Sequence, residues 1–360
     1  MKQKRILVFC PWAYSTSYYT AQFCNAVASD QNKVFLVAPK NFMTDLLSKN
    51  VERINWPYIA PFRTNLSSVF QTPCQVISFI RILNKILPDW IQLLWKHPLP
   101  VILKPYLKKY KIGFTVHDPV LHLGEGGIFR SWIHKKLIEM ADILFVHGEK
   151  NRENLIRNFE VDTQKIYKIP YGNVIAWNHV ADVAQEDSIL FFGRLKKYKG
   201  MEILLEAFKK AEPRIPGYRL VIRGQGDPDD VPAIIKFMPN VDFENRFVPH
   251  NEIPELFARA GFVVLPYLDG TQSGVVAMAF AFGRTCIASA VGAIPEIVKN
   301  GENGLLVAPG NADDLAEKII QLATDHQSRG TLEKGAIKTS ESIASDYREG
   351  LLKIVIKAYF

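Results

Sequence analysis

Short apolar runs alternate with helix-spaced segments along most of the chain, and this alternation occurs twice. Strands are predicted at residues 5–10, 33–38, 91–95, 112–117 and 143–147, then at 188–192, 219–223, 241–243, 262–266 and 285–289. Helices are predicted at residues 18–29, 67–86 and 129–141, then at 201–211, 251–260, 274–282 and 312–324. Strands that alternate with helices predict parallel sheets covered by helices on both faces. Ligands bind beyond the carboxyl ends of such strands, so two domains of this kind are expected to face each other across a cleft.

Length and composition agree with two folded domains. The chain has 360 residues, of which 48% are hydrophobic and 22% charged, typical of a folded protein rather than a disordered one. The segment 168–187 reads as a connection, so we place a first domain at residues 1–172 and a second at 173–346. The last helix, at 347–360, is expected to pack back on the first domain.

The cysteines and the amino terminus indicate a cytoplasmic protein. Cys10, Cys24, Cys74 and Cys286 are widely spaced and form no Cys-x-x-Cys pair, which suits a reducing compartment and gives no zinc signal. The apolar run at residues 6–9 is too short for a signal peptide, and no uncharged apolar stretch is long enough to span a bilayer.

Charge is unevenly distributed between the two halves. Residues 1–175 carry 23 Lys and Arg against 12 Asp and Glu, and residues 176–360 carry 21 against 24, so the balances of +11 and −3 sum to +8. A basic first half indicates an anionic partner, such as an acidic membrane surface, a lipid-linked phosphate or nucleic acid, or it serves solubility alone. Nucleic acid is not expected, because the basic residues are dispersed and no recognition motif accompanies them.

A cationic loop follows the first strand of the second half. The apolar run 189–192 ends at Gly193, and a helical segment begins after Gly200. Four cations lie between them, namely Arg194, Lys196, Lys197 and Lys199. A helix amino terminus already carries partial positive charge, so an anion such as phosphate would offset the repulsion. The alternative is a solvated basic loop.

Two further loops leave strands of the same half. In the first, a strand ends at Pro266 and Ser273-Gly274 opens an apolar helix, where Ser273 is expected to cap the helix and Gly274 to admit a ligand to the free amides. Two anion-seeking loops suit a diphosphate. The second, Arg223-Gly-Gln-Gly226, follows a strand in the same way. Its glycines either serve a ligand or make a tight turn, and the turn is slightly favoured.

The combined motifs resemble the donor domain of family 4 glycosyltransferases. They are Phe192-Gly-Arg-Leu-x-x-Tyr-Lys-Gly200, Arg223-Gly-Gln-Gly226, Phe247-Val-Pro249, Leu265-Pro-Tyr267, Thr271-Gln-Ser-Gly274, Gly292-Ala-Ile-Pro-Glu296 and Asn303-Gly-Leu-Leu-Val307. The likeness is dense in the second half and loose in the first, where Thr115-Val-His-Asp118 and Ala141-Asp-Ile-Leu-Phe-Val-His147 carry it. It implies the GT-B fold of two Rossmann-like domains, a nucleotide-diphosphate sugar as co-substrate, transfer with retention of configuration, and no metal or other cofactor.

The resemblance also assigns roles to single residues. Arg194 and Lys199 would hold the donor pyrophosphate and stabilise charge on the leaving nucleotide, which is catalysis by fixed cations without a side-chain nucleophile. His117, with Asp118 beside it, would reach the transferred sugar. The remaining donor-binding positions that the likeness implies are Gly193, Gly224, Phe247, Val248, Asp269, Thr271, Gln272, Ser273, Gly274 and Val275.

The chain departs from the family pattern at one point. Many members carry two glutamates eight positions apart, but the corresponding places here fall near Gly270 or Thr271 and near Met278 or Ala279. Asp269 is the nearest acid and either contacts the sugar or is solvated. Gln272 and the loop amides are the other candidates to replace the first contact.

The acceptor side of the chain is less distinctive. His122 could touch the acceptor or be an ordinary surface histidine, His147 is interpreted as structural, and no residue spacing indicates a metal site. The segment 90–111 mixes aromatic, aliphatic and lysine side chains, which suits either contact with anionic lipid or a buried strand followed by an amphipathic segment. The first alternative would place the protein on the inner face of the cytoplasmic membrane.

These observations predict a glycosyltransferase that moves a hexose-type sugar from a nucleotide diphosphate to a glycan or to a lipid-pyrophosphate-linked acceptor in surface polysaccharide assembly. Two alternatives stay open. A nucleotide-sugar epimerase of the same fold would use His117 and Asp118 as its acid and base, and a non-catalytic scaffold would explain the missing glutamates.

Overall fold

The structure is a computed structural model that describes residues 3–12, 16–57, 66–119, 127–171 and 183–359. The chain divides into two compact units. Unit 1 comprises Met1–Ile175 together with Ser345–Phe360, and unit 2 comprises Ala176–Ala344. The sequence predicted divisions at 172/173 and 346/347, and the two units divide at 175/176 and 344/345.

Each unit is an alternation of strands and helices around one parallel sheet. The strands are β1 (Lys4–Phe9), β2 (Asn32–Pro39), β3 (Val51–Trp56), β4 (Trp90–Leu93), β5 (Lys111–Val116), β6 (Ile143–His147), β7 (Ile166–Ile169), β8 (Ser188–Phe192), β9 (Arg219–Gly224), β10 (Val241–Asn245), β11 (Phe262–Leu265), β12 (Cys286–Ser289) and β13 (Leu305–Val307). The helices are α1 (Ser17–Val27), α2 (Leu66–Ile86), α3 (Pro98–Ile102), α4 (Lys104–Leu107), α5 (Ile128–Met140), α6 (Glu149–Asn158), α7 (Met201–Ala211), α8 (Ile253–Arg259), α9 (Gly274–Ala281), α10 (Ile294–Ile297), α11 (Ala312–Thr324) and α12 (His326–Tyr359). The α/β class predicted from the alternation is confirmed.

The unit 1 sheet has seven parallel strands in the order β3-β2-β1-β4-β5-β6-β7. The side chains of successive residues of β1 point to opposite faces of this sheet. Leu7 and Phe9 pack with Phe79 of α2 on one side, while Ile6 and Val8 pack with Phe23 of α1 on the other. Because both faces are covered, β1 is apolar without alternation, which is why it is recognisable in the sequence.

The unit 2 sheet has six parallel strands in the order β10-β9-β8-β11-β12-β13. Helices α7 and α11 cover one face, where Leu204 and Phe208 of α7 meet Leu315 and Ile319 of α11 in the buried core. The first six strands of unit 1 repeat this order from edge to edge, so the two units share one topology.

The last helix is longer than predicted. Helix α12 runs without interruption for 34 residues from His326, whereas the sequence indicated a helix only near residues 347–360. Its final part belongs to unit 1, where Tyr347, Leu351 and Val355 lie at four-residue spacing on one face and are buried in the core beside α1.

Segment 90–111 packs most of its apolar side chains into the core. Trp90, Leu94, Leu99 and Leu107 are at most 1% exposed, whereas Ile102 is 52% exposed and Lys108 and Lys109 are exposed to solvent. The buried strand is confirmed, and contact of this segment with anionic lipid stays a prediction.

Candidate functional site

The strand order of unit 2 places one crevice at the junction of β8 and β11. The order in which the strands are added reverses there. From β8 the chain continues to β9 and β10 on one side, and it then returns to add β11 on the other side of β8. In open parallel sheets such a reversal leaves adjacent loops splayed apart and is the usual place for a ligand. The cationic loop after β8 and the loop that leads to α9 both leave the sheet at this point.

Glycines let three loop backbones touch at the crevice. A β-carbon on Gly224 would lie 1.7 Å from the carbonyl oxygen of Gly193, and one on Gly200 would lie 1.9 Å from that of Pro266. Gly193 and Gly200 also have φ angles of 120° and 70°, which side chains disfavour. The loop after β8 is thus held between its two neighbours. Gly224 is required by this close approach, a reason for this glycine that the sequence did not indicate.

Two tyrosines hold the two cations assigned to the pyrophosphate. The Arg194 guanidinium donates a hydrogen bond from Nη2 to the Tyr198 hydroxyl at 3.3 Å. The Lys199 ammonium lies 3.5 Å from the centroid of the Tyr267 ring, a cation–π contact. The Leu268 amide donates to the Tyr198 carbonyl at 2.8 Å, which ties the two loops together. Both cations therefore have an aromatic partner at the crevice, although Arg194 is exposed to solvent.

The other lysines of the cationic loop differ from this pair. Lys196 forms an ion pair with Asp230, 2.8 Å from Nζ to Oδ2, so its charge is already matched within the protein. Lys197 is exposed to solvent. Only Arg194 and Lys199 of the four are bound to aromatic partners beside the start of α9, so the loop is not a uniform solvated basic surface.

The amino terminus of α9 lacks a side-chain cap. Ser273 occupies the N-cap position in an extended conformation, but its hydroxyl lies 3.3 Å from the Tyr267 hydroxyl and makes no capping bond. The prediction that Ser273 caps the helix was therefore wrong. Burial raises the pKa of Tyr267 far above its ordinary value and keeps that hydroxyl protonated. The first-turn amides, with Gly274 and Val275 in the first positions, receive no bond from this serine.

The loop before α9 is fixed by a contact that sequence reasoning did not anticipate. The Ala293 amide donates to the Thr271 carbonyl at 2.9 Å, and a β-carbon on Gly292 would lie 2.0 Å from the Gly270 carbonyl oxygen. The Gly292-Ala-Ile-Pro motif was the available signal. Gln272 Oε1 is buried in this loop and has no hydrogen-bond partner among the described residues. An unpaired buried carbonyl oxygen is costly and is suited to accept a bond from a ligand.

The remaining donor-side positions lie around the same edge. Asp269 is half-buried in the loop after β11, while Met278 is 8% exposed inside α9, where the family pattern has a glutamate. Phe247 and Val248 follow β10, two strands from the crevice, with Phe247 44% exposed and Val248 buried. Gly193 lies beside Val275, whose Cγ2 would be 3.6 Å from a β-carbon on that glycine.

The sugar-side histidine predicted from the sequence lies in unit 1, directly after β5. His117 is 7% exposed, stacks on Trp95 with ring centroids 4.1 Å apart, and has Nε2 3.0 Å from the Leu94 carbonyl oxygen. Burial lowers the pKa of His117 to about 4, so the ring is neutral near neutral pH. A carbonyl only accepts, so Nε2 carries the proton, and Nδ1 is a buried acceptor without a partner among the described residues.

Further groups of unit 1 surround this histidine. His147, at the end of β6, is 1% exposed and its Nδ1 lies 3.2 Å from the Pro170 carbonyl oxygen, which confirms it as a buried packing residue. Asp118 is half-buried beside His117. The candidate acceptor residue His122 lies outside the described residues.

The described part of the chain offers neither a metal site nor a membrane-spanning helix. No group of three or more His, Cys, Asp or Glu side chains there is placed to hold a metal ion. None of the helices described is long and apolar enough to cross a membrane.

Comparison with known proteins agrees with this geometry. Residues 186–325 match the family model described as glycosyl transferases group 1. The D-inositol 3-phosphate glycosyltransferase of Corynebacterium glutamicum (strain R) is 26% identical over 233 residues, which cover 58% of this chain and 56% of that protein. The chain thus spans little more than half the length of such relatives.

Two solved structures show the same fold over nearly the whole chain. Sucrose-phosphate synthase from Thermosynechococcus elongatus superposes with a TM-score of 0.76 at 21% identity, covering 99% of this chain and 98% of that one. Anabaena HepE, solved in complex with UDP and glucose, superposes with a TM-score of 0.73 at 16% identity and 99% coverage of both chains.

The fold is therefore that of the GT-B proteins, with two Rossmann-like units. Within that class, the chain carries a group 1 glycosyltransferase domain over residues 186–325, and the expected resemblance to family 4 glycosyltransferases is confirmed.

Proposed function

We propose that this protein is a retaining glycosyltransferase that takes a hexose-type sugar from a nucleotide diphosphate donor. The observation that carries the proposal is the pair Arg194 and Lys199 beside the start of α9, which Ser273 does not cap. Two fixed cations and a set of helix amides make a site for two phosphates.

The chemistry follows from where charge develops. Breaking the bond between the sugar and the phosphate leaves negative charge on the nucleotide diphosphate. Arg194 and Lys199 would stabilise that charge in the transition state, and the amides of Gly274 and Val275 would add to it. No metal is needed to bind the diphosphate in this scheme, because the protein supplies the positive charge.

Each unit, taken by itself, has a buried polar atom that suits a sugar hydroxyl. Gln272 Oε1 in unit 2 is an acceptor without a partner among the described residues, and sugar hydroxyls are donors. His117 Nδ1 is an acceptor of the same kind in unit 1. We assign Gln272 the contact that a glutamate makes in many family members. A neutral His117 with a low pKa is a poor acid at neutral pH, which disfavours the epimerase alternative.

The acceptor is inferred from charge. The +11 balance of residues 1–175 favours an anionic acceptor, so we propose a lipid-pyrophosphate-linked acceptor or a glycan in surface polysaccharide assembly at the cytoplasmic face of the membrane. UDP-glucose is the first donor to test, because HepE was solved with UDP and glucose.

The test is a panel of nucleotide sugars incubated with the protein in the presence of EDTA. Nucleotide release that needs an acceptor, with a product of retained anomeric configuration by NMR, would support the proposal. An isomerised nucleotide sugar in the absence of acceptor would establish the epimerase. If no nucleotide or nucleotide sugar shifts the melting temperature, the scaffold alternative replaces the proposal.

A further inference from the structure

Helix α5 of unit 1 exposes three large apolar side chains among its first five residues. Ile128 is 94% exposed, Phe129 52% and Trp132 47%, and the Phe129 and Trp132 rings stack at 11° with centroids 6.0 Å apart. We call these three residues the α5 patch. Single exposed apolar residues are ordinary, but three grouped at one end of a helix indicate a surface that something covers.

The opposite face of the same helix is firmly anchored. Ile133, His134, Leu137 and Ile138 are buried, and three of them belong to the core beneath the sheet. The α5 patch therefore lies on a helix whose opposite face is anchored in the core.

Cations accompany the patch. Arg130 and Lys135 are exposed on α5, and Lys136 is paired with Glu139 at 2.6 Å. The helix therefore carries three cations and one carboxylate beside its apolar turn. Aromatic rings next to flexible cations are the combination that inserts at the boundary between acyl chains and anionic headgroups.

We propose that the α5 patch docks unit 1 on an anionic lipid bilayer. Three side chains are too few for a stable protein interface, which uses roughly 20–30 residues a side. They are enough for shallow insertion when nearby Lys and Arg side chains supply the remaining attraction to anionic headgroups. The net charge of +11 on residues 1–175 also favours attraction to an anionic bilayer. The docking stands without the transfer reaction, although its purpose rests on the proposed lipid-linked acceptor.

Vesicle flotation of the full chain tests the docking. The vesicles are phosphatidylcholine alone or phosphatidylcholine with phosphatidylglycerol, at low and at high salt. The variant F129S/W132S removes the aromatic pair, and R130E/K135E reverses two charges. Phe237→Ser is the matched control, because Phe237 is 81% exposed but lies in unit 2. Circular dichroism and binding of a nucleoside diphosphate verify that each variant is folded.

We expect the wild type to bind the anionic vesicles and high salt to weaken that binding. Binding should be at least about fivefold weaker for F129S/W132S and for R130E/K135E, and unchanged for Phe237→Ser. Absence of wild-type binding, or equal binding by all four proteins, would overturn the proposal. A dimer of the wild type that F129S/W132S dissociates would also overturn it, in favour of a second copy as the partner. Nucleotide binding is read separately, so failure of the docking and failure of the donor site are distinguishable.

Discussion

The two units share a strand order but differ at the point where that order reverses. In unit 1 the helix after the reversal, α3, begins at His97, whose Nδ1 accepts a hydrogen bond from the Leu99 amide at 3.2 Å. In unit 2 the corresponding helix, α9, begins at Ser273 and has no side-chain cap. The first turn of α3 thus has a side-chain partner for one amide, whereas the first turn of α9 has none and remains suited to an external anion.

The side chains around the point of strand-order reversal also differ between the two units. Unit 1 places neutral histidines among aromatic rings, since burial lowers the pKa of both His97 and His117 to about 4. Unit 2 places Arg194 and Lys199 against tyrosines. The shared topology thus provides two crevices with different local chemistry. The crevice of unit 2 has cations beside it, which suits the phosphates of the proposed donor, whereas that of unit 1 has neutral histidines.

The largest expected effect is on turnover. Arg194→Ala and Lys199→Ala should each lower kcat/KM by about 100-fold or more, because each removes a fixed cation from the developing diphosphate charge. Lys197→Ala is the matched control, since Lys197 is an exposed lysine of the same loop. Steady-state kinetics check the prediction, and normal turnover in both variants would remove these two residues from the mechanism.

The backbone contacts of unit 2 can be broken directly. Gly224→Ala should lower the free energy of unfolding by about 2–3 kcal/mol, because its β-carbon would fall 1.7 Å from the Gly193 carbonyl oxygen. Gly330→Ala should instead raise stability by up to about 1 kcal/mol, because Gly330 lies in α12 with open space around it. Urea unfolding measures both, and equal effects would contradict the proposed packing.

Two substitutions of Tyr267 distinguish the contribution of its ring, which contacts Lys199, from that of its hydroxyl. Tyr267→Leu should lower kcat/KM roughly tenfold, because the ammonium loses the ring beneath it. Tyr267→Phe keeps the ring and loses only the contact with Ser273, so its rate should remain within about threefold of the wild type. If the two variants have the same rate, the cation–π contact does not position Lys199.

Acid should unfold unit 1 before unit 2. The pKa values of His97 and His117 are lowered to about 4, and those of His134 and His147 to about 3, all by burial. Protonation therefore favours the unfolded chain, where histidine titrates near 6.5, so stability is present above that pH and falls as pH drops toward 4. Each histidine contributes a slope of up to about 1.4 kcal/mol per pH unit.

Calorimetry at successive pH values checks this order, with His250 as the described unit 2 histidine whose pKa is also lowered by burial. An early transition that moves to lower temperature between about pH 6.5 and 5 is expected for unit 1. A single transition with no shift in that window would contradict the buried neutral histidines.

Sequence patterns predicted the buried elements better than the exposed ones. Strands β1, β6 and β8 are apolar because both sheet faces are covered, and they were located to within a residue. Strand β3 was not predicted, because it lies at the sheet edge and its Glu52, Arg53 and Asn55 interrupt the apolar pattern. Helix α6 was missed for the same reason, since only Asn151 and Leu155 of it are buried.

The candidate site was predictable in its local motifs but not in its long-range contacts. Arg194, Lys199 and the Thr271–Gly274 loop are recognisable as anion-seeking in the sequence. The contact of Lys199 with Tyr267 joins residues far apart in the chain, and it arises only when β8 and β11 become neighbours. Tyr267 also contacts the Ser273 hydroxyl, which the sequence had indicated as the cap of α9.

The central claim is that unit 2 binds a nucleoside diphosphate through Arg194, Lys199 and the start of α9. Isothermal titration of UDP, GDP and ADP into the protein in EDTA tests it most directly, with Lys197→Ala and the double variant R194A/K199A alongside. We predict that one nucleotide binds to the wild type and to Lys197→Ala, and at least about tenfold more weakly to R194A/K199A. Equal affinity of the double variant, or no binding of any nucleotide to the wild type, would contradict the account.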